Sequence, residues 1–309
     1  MAKSLLVVGS IAFDTVRTPF GEAADVLGGS ATYFSVAASY FVPVRLVGVV
    51  GEDFPPAFRQ VFTDRYIDTA GLQVVGGGKT FRWAGSYQGA MNEAKTESVH
   101  LNVFGDFRPT LPEAFKNSQL VFLANGSPVT QASVLDQVRR PELVVADTMN
   151  LWIDTEKPAL LKLLKRVDGL VLNEGEARML SGDSNLVSAA HKILDCGPKF
   201  TVVKKGEHGA LLVWREAAGA GQTLVCPLPA FPSLGAVDPT GAGDSFAGGM
   251  MGYLASAGLY DFRRLIRAMA YGTIVASFDI EDFGLRRYER LTIDEIDARL
   301  REYHAMLEF

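Results

Sequence analysis

The sequence predicts an α/β protein with a mostly parallel sheet that is covered by helices on both faces. Two observations support this prediction: short apolar segments alternate with helical patterns over most of the chain, and the last part reads as helices alone. Continuously apolar strands are typical of parallel sheets, because a half-exposed strand would alternate apolar and polar residues. With 309 residues, 48% of them apolar, the chain can bury a sizeable core.

The elements follow in regular order. Apolar strands are predicted at 5–8, 44–50, 120–124, 143–146, 170–172 and 200–203. Helices are predicted at 30–41, 54–66, 130–138, 157–166, 174–180 and 186–196, and after Asp244 at 245–257, 262–278 and 292–306. Strands that alternate with helices indicate βα units and therefore parallel pairing.

The segment 79–103 breaks this alternation. It contains Phe81, Trp83 and Tyr87 among polar residues and glycines, which predicts short antiparallel strands. Two interpretations are open: a hairpin at the edge of the sheet, or a lid of strands that stands off the sheet over a substrate. We expect one catalytic domain over 1–309 with these strands inserted.

Composition excludes several classes of protein. The net charge of −5 does not suggest a nucleic-acid or anionic-membrane surface. The longest apolar stretch, 33–51, is interrupted by a proline and an arginine, so no membrane span is expected. Two cysteines cannot form a disulfide framework and, with no visible targeting signal, indicate a cytoplasmic protein.

Residues 238–246, Asp-Pro-Thr-Gly-Ala-Gly-Asp-Ser-Phe, are the most informative segment. The small residues Gly241, Ala242 and Gly243 open a helix, where free backbone N–H groups can bind an anion. Asp244 lies in the first turn, where a carboxylate can serve as a base for an incoming hydroxyl. An ordinary helix start with an acidic residue favoured by the dipole would explain Gly-Ala-Gly-Asp alone.

The whole segment resembles the second signature of the PfkB (ribokinase-like) kinases, with Pro239 in place of a threonine. This resemblance implies a Rossmann-like, ribokinase-like core with a small β lid. It also implies an ATP-dependent kinase that phosphorylates a hydroxymethyl group on a nucleoside or a sugar, with Asp244 as the base and the N–H groups of 241–243 as the anion hole. A non-catalytic nucleotide-binding protein of the same fold is the distant alternative. A P-loop and a Gly-x-Gly-x-x-Gly motif after the first strand are absent from the sequence, which argues against other kinases and dinucleotide-dependent oxidoreductases.

The N-terminal third resembles the acceptor-binding part of the family. The resemblance implies that Asp14 binds sugar hydroxyls and that Gly28 and Gly29 form the close turn of the first signature, which Val47–Asp53 continues. Tyr33 stands where the family usually has an asparagine, so the acceptor is open. Phe81, Trp83 and Tyr87, with Tyr33 below, offer faces on which a base could stack, and Asn102 adds a further acceptor contact. Core packing would explain the same aromatics.

The C-terminal half resembles the nucleotide-binding part. Asn173 and Glu176 match the family's Asn-x-x-Glu, which implies Mg²⁺ held through water; a plain helix cap is the alternative. Lys204, Lys205, Gly206 and Gly209 form a strand and turn like the family's nucleotide hairpin, and one of the lysines is expected to be a solvated charge.

The resemblance also implies a potassium ion beside the anion hole. Its ligands would come from Asp238 and Thr240 on one loop and from Glu281 and Gly284 on a second loop. Because an isolated small sheet is marginal in water, we expect two lids to pack together in a homodimer.

Overall fold

The computed structural model describes residues 2–216, 222–258 and 260–308. Its strands are β1 (Leu5–Val8), β2 (Ala12–Thr18), β3 (Gly21–Gly28), β4 (Val44–Gly51), β5 (Ile67–Val75), β6 (Phe81–Ser86), β7 (Lys95–His100), β8 (Leu120–Leu123), β9 (Leu143–Asp147), β10 (Gly169–Asn173), β11 (Phe200–Lys204), β12 (Ala210–Arg215) and β13 (Thr223–Leu228). Its α-helices are α1 (Ser30–Ala38), α2 (Pro56–Asp64), α3 (Pro128–Leu135), α4 (Asn150–Thr155), α5 (Lys157–Leu164), α6 (Glu174–Ser181), α7 (Leu186–Leu194), α8 (Ala242–Ala257), α9 (Phe262–Asp279), α10 (Arg286–Arg290) and α11 (Ile293–Leu307).

Nine strands form a large sheet in the order β13-β12-β11-β10-β9-β8-β1-β4-β5. All neighbouring pairs are parallel except β11–β12 and β12–β13, which are antiparallel. The predicted α/β class with a mostly parallel sheet is confirmed. Along the sheet the strand numbers fall from β13 to β1 and then rise through β4 to β5. At such a reversal of strand order, α/β proteins bind ligands in a crevice at the carboxyl ends of the strands, which here are those of β1, β8 and β9.

Each face of the large sheet has its own hydrophobic core. In β1, Leu5 and Val7 pack into one core together with side chains of α1, α8, α9 and α11. Leu6 and Val8 pack into the other core with side chains of α5 and α7. Because successive side chains of a strand point to opposite faces, a strand between two cores must be apolar throughout.

The small sheet differs from the prediction. It has four strands in the order β3-β2-β6-β7, and only β6 and β7 fall in the segment 79–103. β2 pairs with β6 in parallel and with β3 in an antiparallel hairpin. Asp14 lies within β2, one of the two strands of the small sheet that the sequence did not predict. The pairing of β2 with a strand so distant in the sequence is not encoded in either segment alone.

The chain after Asp244 is helical, as predicted, with the short additional helix α10 between the second and third predicted helices. Among the described residues, the structure contains no helix with the length and apolar content needed to cross a membrane.

Candidate active site

Three neighbouring strands of the large sheet end in polar residues. Asp147 ends β9, Asn173 ends β10 and Lys204 ends β11. Lys204 reaches across β10, and its Nζ lies 3.6 Å from Asp147 Oδ2. Both side chains are largely buried, so the ion pair with Asp147 holds the ammonium group of Lys204 at the carboxyl edge of the sheet.

The predicted anion hole lies against this ion pair. Gly241 has a φ of 84°, and Cβ at this position would collide with the ring of Tyr33. Cβ at Gly243 would lie 2.9 Å from Lys204 Nζ. Only glycine therefore lets the backbone approach both side chains. The N–H group of Ala242 donates to the carbonyl of Pro239 at 3.2 Å, whereas those of Gly241 and Gly243 have no partner within the described part of the chain.

Asp244 follows directly, in the first turn of the 16-residue helix α8. Burial, and to a smaller extent the charge of Asp147, raise the pKa of Asp244 to about 7 against the opposing charge of Lys204. A carboxylate with a pKa near neutrality is suited to accept a proton at physiological pH.

Asp14 is 4% exposed and lies close enough to Asp244 for the two carboxylates to repel each other. Its Oδ2 accepts the N–H of Gly29 at 3.3 Å, and Cβ at Gly28 would collide with the same carboxylate. Burial raises the pKa of Asp14 to about 7; the Gly29 N–H lowers it, and the charges of Asp238 and Asp244 raise it. The structure thus brings Asp14, the predicted acceptor-binding residue and hereafter the acceptor grip, close to Asp244, the predicted base.

The aromatic residues of the small sheet are arranged around this grip. Asp14 is paired in register with Trp83, and Ala12 with Phe81, so these side chains share one face of the sheet. The Trp83 indole donates to Thr96 Oγ1 at 3.3 Å and keeps part of its surface exposed. The hydroxyl groups of Tyr87 and Thr240 lie 3.3 Å apart, which links the small sheet to the 238–241 loop.

Two predicted acceptor contacts need correction. Tyr33 is 1% exposed, and its ring supports Gly241 from below, so no face is open to a base. Asn102 donates to the carbonyl of Thr80 at 2.8 Å. It borders a cavity of about 660 Å³ at the β5 edge of the large sheet, whose lining includes neither Asp14 nor Asp244. The buried charges, rather than this open cavity, mark the candidate reactive centre.

Asn173 and Glu176 form a capping box at the start of α6. Asn173 Oδ1 accepts the N–H of Glu176 at 2.8 Å, and Glu176 Oε2 accepts the N–H of Asn173 at 2.7 Å. Burial raises the pKa of Glu176 to about 7, repulsion by Asp147 acts in the same direction, and Lys204 opposes it. The capping interpretation is correct, and Glu176 also faces the charged cluster.

The predicted nucleotide hairpin follows β11. The Lys205 N–H donates to the carbonyl of Gly209 at 2.7 Å, and Gly206 and Gly209 have φ values of 55° and 84°. Lys205 starts this turn, whereas Lys204 joins the buried cluster. A loop of the small sheet reaches the turn, where Asn92 donates to Glu207 at 2.9 Å.

The two loops of the predicted potassium site are in contact. Asp238 accepts the N–H groups of Thr240 at 2.9 Å and Gly284 at 3.0 Å. Glu281 requires correction, because its carboxylate is bound by Arg287 at 2.7 Å and Arg299 at 2.6 Å and is therefore not available to a cation.

Sequence reasoning missed Asp147 and Asp279. Asp147 could have been found as an acidic residue at the end of an apolar strand, where α/β proteins place ligand contacts. Asp279 is 1% exposed, accepts the Ser245 hydroxyl at 3.1 Å, and leaves Oδ2 without a partner among the described residues. Its position at the end of a helical pattern gave no such signal.

Comparison with known proteins shows the family to which the chain is similar over most of its length. The model for the pfkB family of carbohydrate kinases matches residues 3–289. The cytidine kinase of Thermococcus kodakarensis is 28% identical over 269 residues, which cover 84% of this chain and 92% of that protein. A nucleoside kinase of Methanothermobacter thermautotrophicus is 25% identical over 305 residues and 91% of each chain. An E. coli structure described as ribokinase II, in complex with ATP and Mg²⁺, superimposes with a TM-score of 0.77 at 19% identity over 97% of this chain and 99% of that one.

Proposed function

The chain belongs to the pfkB family of carbohydrate kinases, and we propose that it transfers the γ-phosphate of ATP to the hydroxymethyl group of a nucleoside. The family makes it a phosphotransferase that acts on an alcohol group. The observation that supports the proposal is the buried carboxylate of Asp244, which directly follows the unpartnered N–H group of Gly243 and interacts electrostatically with the carboxylate of Asp14.

In the proposed reaction Asp244 accepts the proton of the attacking hydroxyl. Phosphoryl transfer depends more on charge stabilisation than on the base, because the transition state is loose. The free N–H groups of Gly241 and Gly243, at the positive end of α8, would bind the oxygens of the transferred group. Ala242 would act through the conformation of the turn, since its N–H is already bonded to Pro239.

Lys204 would add a full positive charge beside that hole. Its Nζ lies next to Gly243, and the buried carboxylate of Asp147 keeps it there. A lysine acts on phosphate as a point charge without needing a fixed fork geometry. Among the described residues of the hairpin, Lys205, Gly206 and Gly209 would line the nucleotide through the backbone of the turn.

ATP with Mg²⁺ is implied by the family, and the residues fit an ion bound through water. Glu176 uses Oε2 in the capping box, which leaves Oε1 for a water ligand, and Asn173 fixes its orientation. When bound, Mg²⁺ would offset the negative charge of the phosphates. The protein's part is to hold these oxygen donors and to exclude bulk water.

We also propose potassium beside the anion hole. The Asp238–Thr240 and 280–284 loops are joined by hydrogen bonds, and two buried oxygens close to them, Asp279 Oδ2 and the Tyr33 hydroxyl, lack partners among the described residues. Buried oxygens without donors are favourable surroundings for a cation. Glu281 is left out of this set for the reason given above.

The small sheet would act as a lid, and the chain 1–309 as one catalytic domain that carries it. All six residues of β7 are exposed, and this strand forms the outer edge of the small sheet. An uncovered edge strand can pair with another chain, so we propose a homodimer through this sheet.

A nucleoside is favoured over a free sugar by the surface beside Asp14. The partly exposed indole of Trp83 shares its face of the sheet, so it could stack on a base while Asp14 binds the ribose hydroxyls. The two full-length relatives reported above are named as a cytidine kinase and a nucleoside kinase. A sugar kinase of the ribose or fructose type is the second candidate, since Asp14 would bind sugar hydroxyls equally well.

The test is a coupled ADP-release assay with Mg·ATP in potassium buffer. The panel contains cytidine, uridine, adenosine, inosine, ribose and fructose; product mass confirms that one phosphate is added, and ³¹P–¹H coupling in the NMR spectrum of the product identifies the hydroxyl that carries it. We expect a nucleoside to give the highest kcat/KM. A preference for ribose or fructose would replace the nucleoside proposal by the sugar one, and ADP release unaffected by any acceptor would refute both.

A further inference from the structure

Asn125, two residues after the end of β8, is joined to the turn that holds Asp14. The hydroxyl of Ser30, the residue after Gly28 and Gly29, donates to the backbone carbonyl of Asn125 at 3.4 Å. The Asn125 side chain is half-buried at the carboxyl edge of the large sheet. Through Ser30 the backbone of Asn125 is therefore tied to the turn whose Gly29 N–H binds Asp14, which makes the Asn125 side chain a candidate for contact with an acceptor held there.

The orientation of the Asn125 amide is locked. Its Oδ1 accepts the indole N–H of Trp152 at 2.9 Å, and its Nδ2 donates to Met149 Sδ at 3.0 Å. An indole nitrogen can only donate, so rotating the amide by 180° would place two donors against each other. One lone pair on Oδ1 and one hydrogen on Nδ2 remain for a ligand, in a fixed order.

Two stacked aromatic rings, Phe104 and Phe81, connect the neighbourhood of Asn125 with the small sheet. Phe104 lies 3.8 Å from where Cβ would stand at Gly126, the residue after Asn125. Phe104 in turn stacks on Phe81, with ring centroids 5.5 Å apart. The amide thus has an apolar aromatic surface beside it, which suits a flat ring whose edge carries polar atoms.

We propose that Asn125 reads the edge of the acceptor's base and selects bases with an exocyclic amino group beside a ring-nitrogen acceptor. Cytosine and adenine both present this edge. This inference rests on the proposed nucleoside kinase function and adds the chemical class of the base. Met149 and Trp152 are positioning residues that act through the amide of Asn125.

The fixed orientation of the Asn125 amide supplies the selectivity between bases. Oδ1 accepts from the amino group while Nδ2 donates to the ring nitrogen, as asparagine does with adenine in nucleic-acid recognition. Uracil and hypoxanthine present an oxo group beside a ring N–H, which is the reverse order. A freely rotating amide would bind both orders, whereas an amide held by Trp152 binds one.

The experiment compares kcat/KM for cytidine against uridine and for adenosine against inosine. A good bidentate contact discriminates by about tenfold or more, so the wild type is expected to favour the amino member of the better pair by that factor. Asn125→Ala and Asn125→Asp are expected to bring the ratio close to one, because both remove the donor. Asn117→Asp, an exposed asparagine in the short helix Glu113–Asn117, is the matched control and should keep the ratio.

Trp152→Phe tests the lock itself. It removes the indole N–H but keeps an aromatic ring, so the amide can rotate and the oxo nucleoside should improve in kcat/KM. General damage to the fold would not improve a poor substrate, and thermal melting checks that each variant is folded. The proposal is overturned by equal kinetics within both pairs, by a preference for the oxo member, or by a ratio that survives in Asn125→Ala. A wild type that phosphorylates only free sugars overturns the nucleoside function as well.

Discussion

Asp244→Asn should stabilise the protein while it inactivates the enzyme. In the folded chain the pKa of Asp244 rises from 3.8 to about 7, chiefly through burial. That difference is about three pH units, and each unit corresponds to about 1.4 kcal/mol between the two protonation states. The full effect would be about 4 kcal/mol. Asp244 keeps some contact with solvent, which screens its charge, so we expect about 2 kcal/mol.

The direction of the pH dependence follows from proton binding. Between about pH 4 and pH 7 the folded chain holds a proton on Asp244 that the unfolded chain has released, so stability falls as the pH rises. Above pH 7 the carboxylate is ionised in both states, and the full free-energy cost of burying its charge lowers the stability of the folded chain. Asparagine carries no such charge. The variant should therefore equal the wild type near pH 4 and exceed it at pH 8.

Urea unfolding of the two proteins at pH 5, 6, 7 and 8 measures this difference. In parallel, a coupled assay at pH 8 should show that kcat of the variant falls by about 10²–10⁴-fold, the usual contribution of a positioned base. Asp136→Asn, at an exposed ion pair with Arg166, is the control and should change neither property much. A variant that is less stable than the wild type at pH 8, or that keeps half of its turnover, would refute the reasoning.

Four further outcomes are expected. Trp83→Ala should cost about 1–3 kcal/mol in kcat/KM for nucleosides and leave sugars unchanged, whereas Asp14→Ala should impair both classes; unchanged nucleoside kinetics of Trp83→Ala would contradict stacking. Replacing potassium with sodium or choline should lower activity, and equal rates in all three salts would count against a potassium site. Light scattering at micromolar concentration should give the mass of a dimer, and a monomer mass would disprove pairing through the small sheet. The kcat/KM of the wild type should rise as the pH increases through about 7, because Asp244 must lose its proton to act as a base; a flat profile from pH 5.5 to 8 would exclude it.

The elements of the large sheet could be predicted from the sequence because their signals are local. Apolar runs such as Leu143–Asp147 are strands wherever both faces are buried, and Gly-Ala-Gly before a long run of apolar and small residues starts a helix. The small sheet was only half predictable. The pairing of Ala12–Thr18 with Phe81–Ser86 depends on how the chain folds back, which no local pattern records.

The site was predictable to the level of the motif but not of the side chain. Lys204 and Lys205 are indistinguishable in the sequence, yet only Lys204 reaches Asp147, because the end of β11 turns its side chain across β10. The sequence made Glu281 a reasonable potassium ligand, but in the structure Arg287 and Arg299, which belong to later elements, bind its carboxylate. Such outcomes depend on tertiary contacts between segments that carry no mutual signal.

The charge balance of the cleft bears on which form of a nucleotide it would bind. Burial and mutual repulsion raise the pKa of Asp14, Glu176 and Asp244 to about 7, and Lys204 is the cation that opposes these shifts for Glu176 and Asp244. A nucleotide phosphate brought alone would add negative charge to a cleft that already repels it. A divalent cation reverses that balance, because it offsets phosphate and carboxylate charge together. The buried carboxylates, which lower the stability of the folded protein, therefore favour a nucleotide that carries a bound metal ion over a nucleotide without one. The N–H groups of Gly241 and Gly243 would then be available to the transferred phosphoryl group.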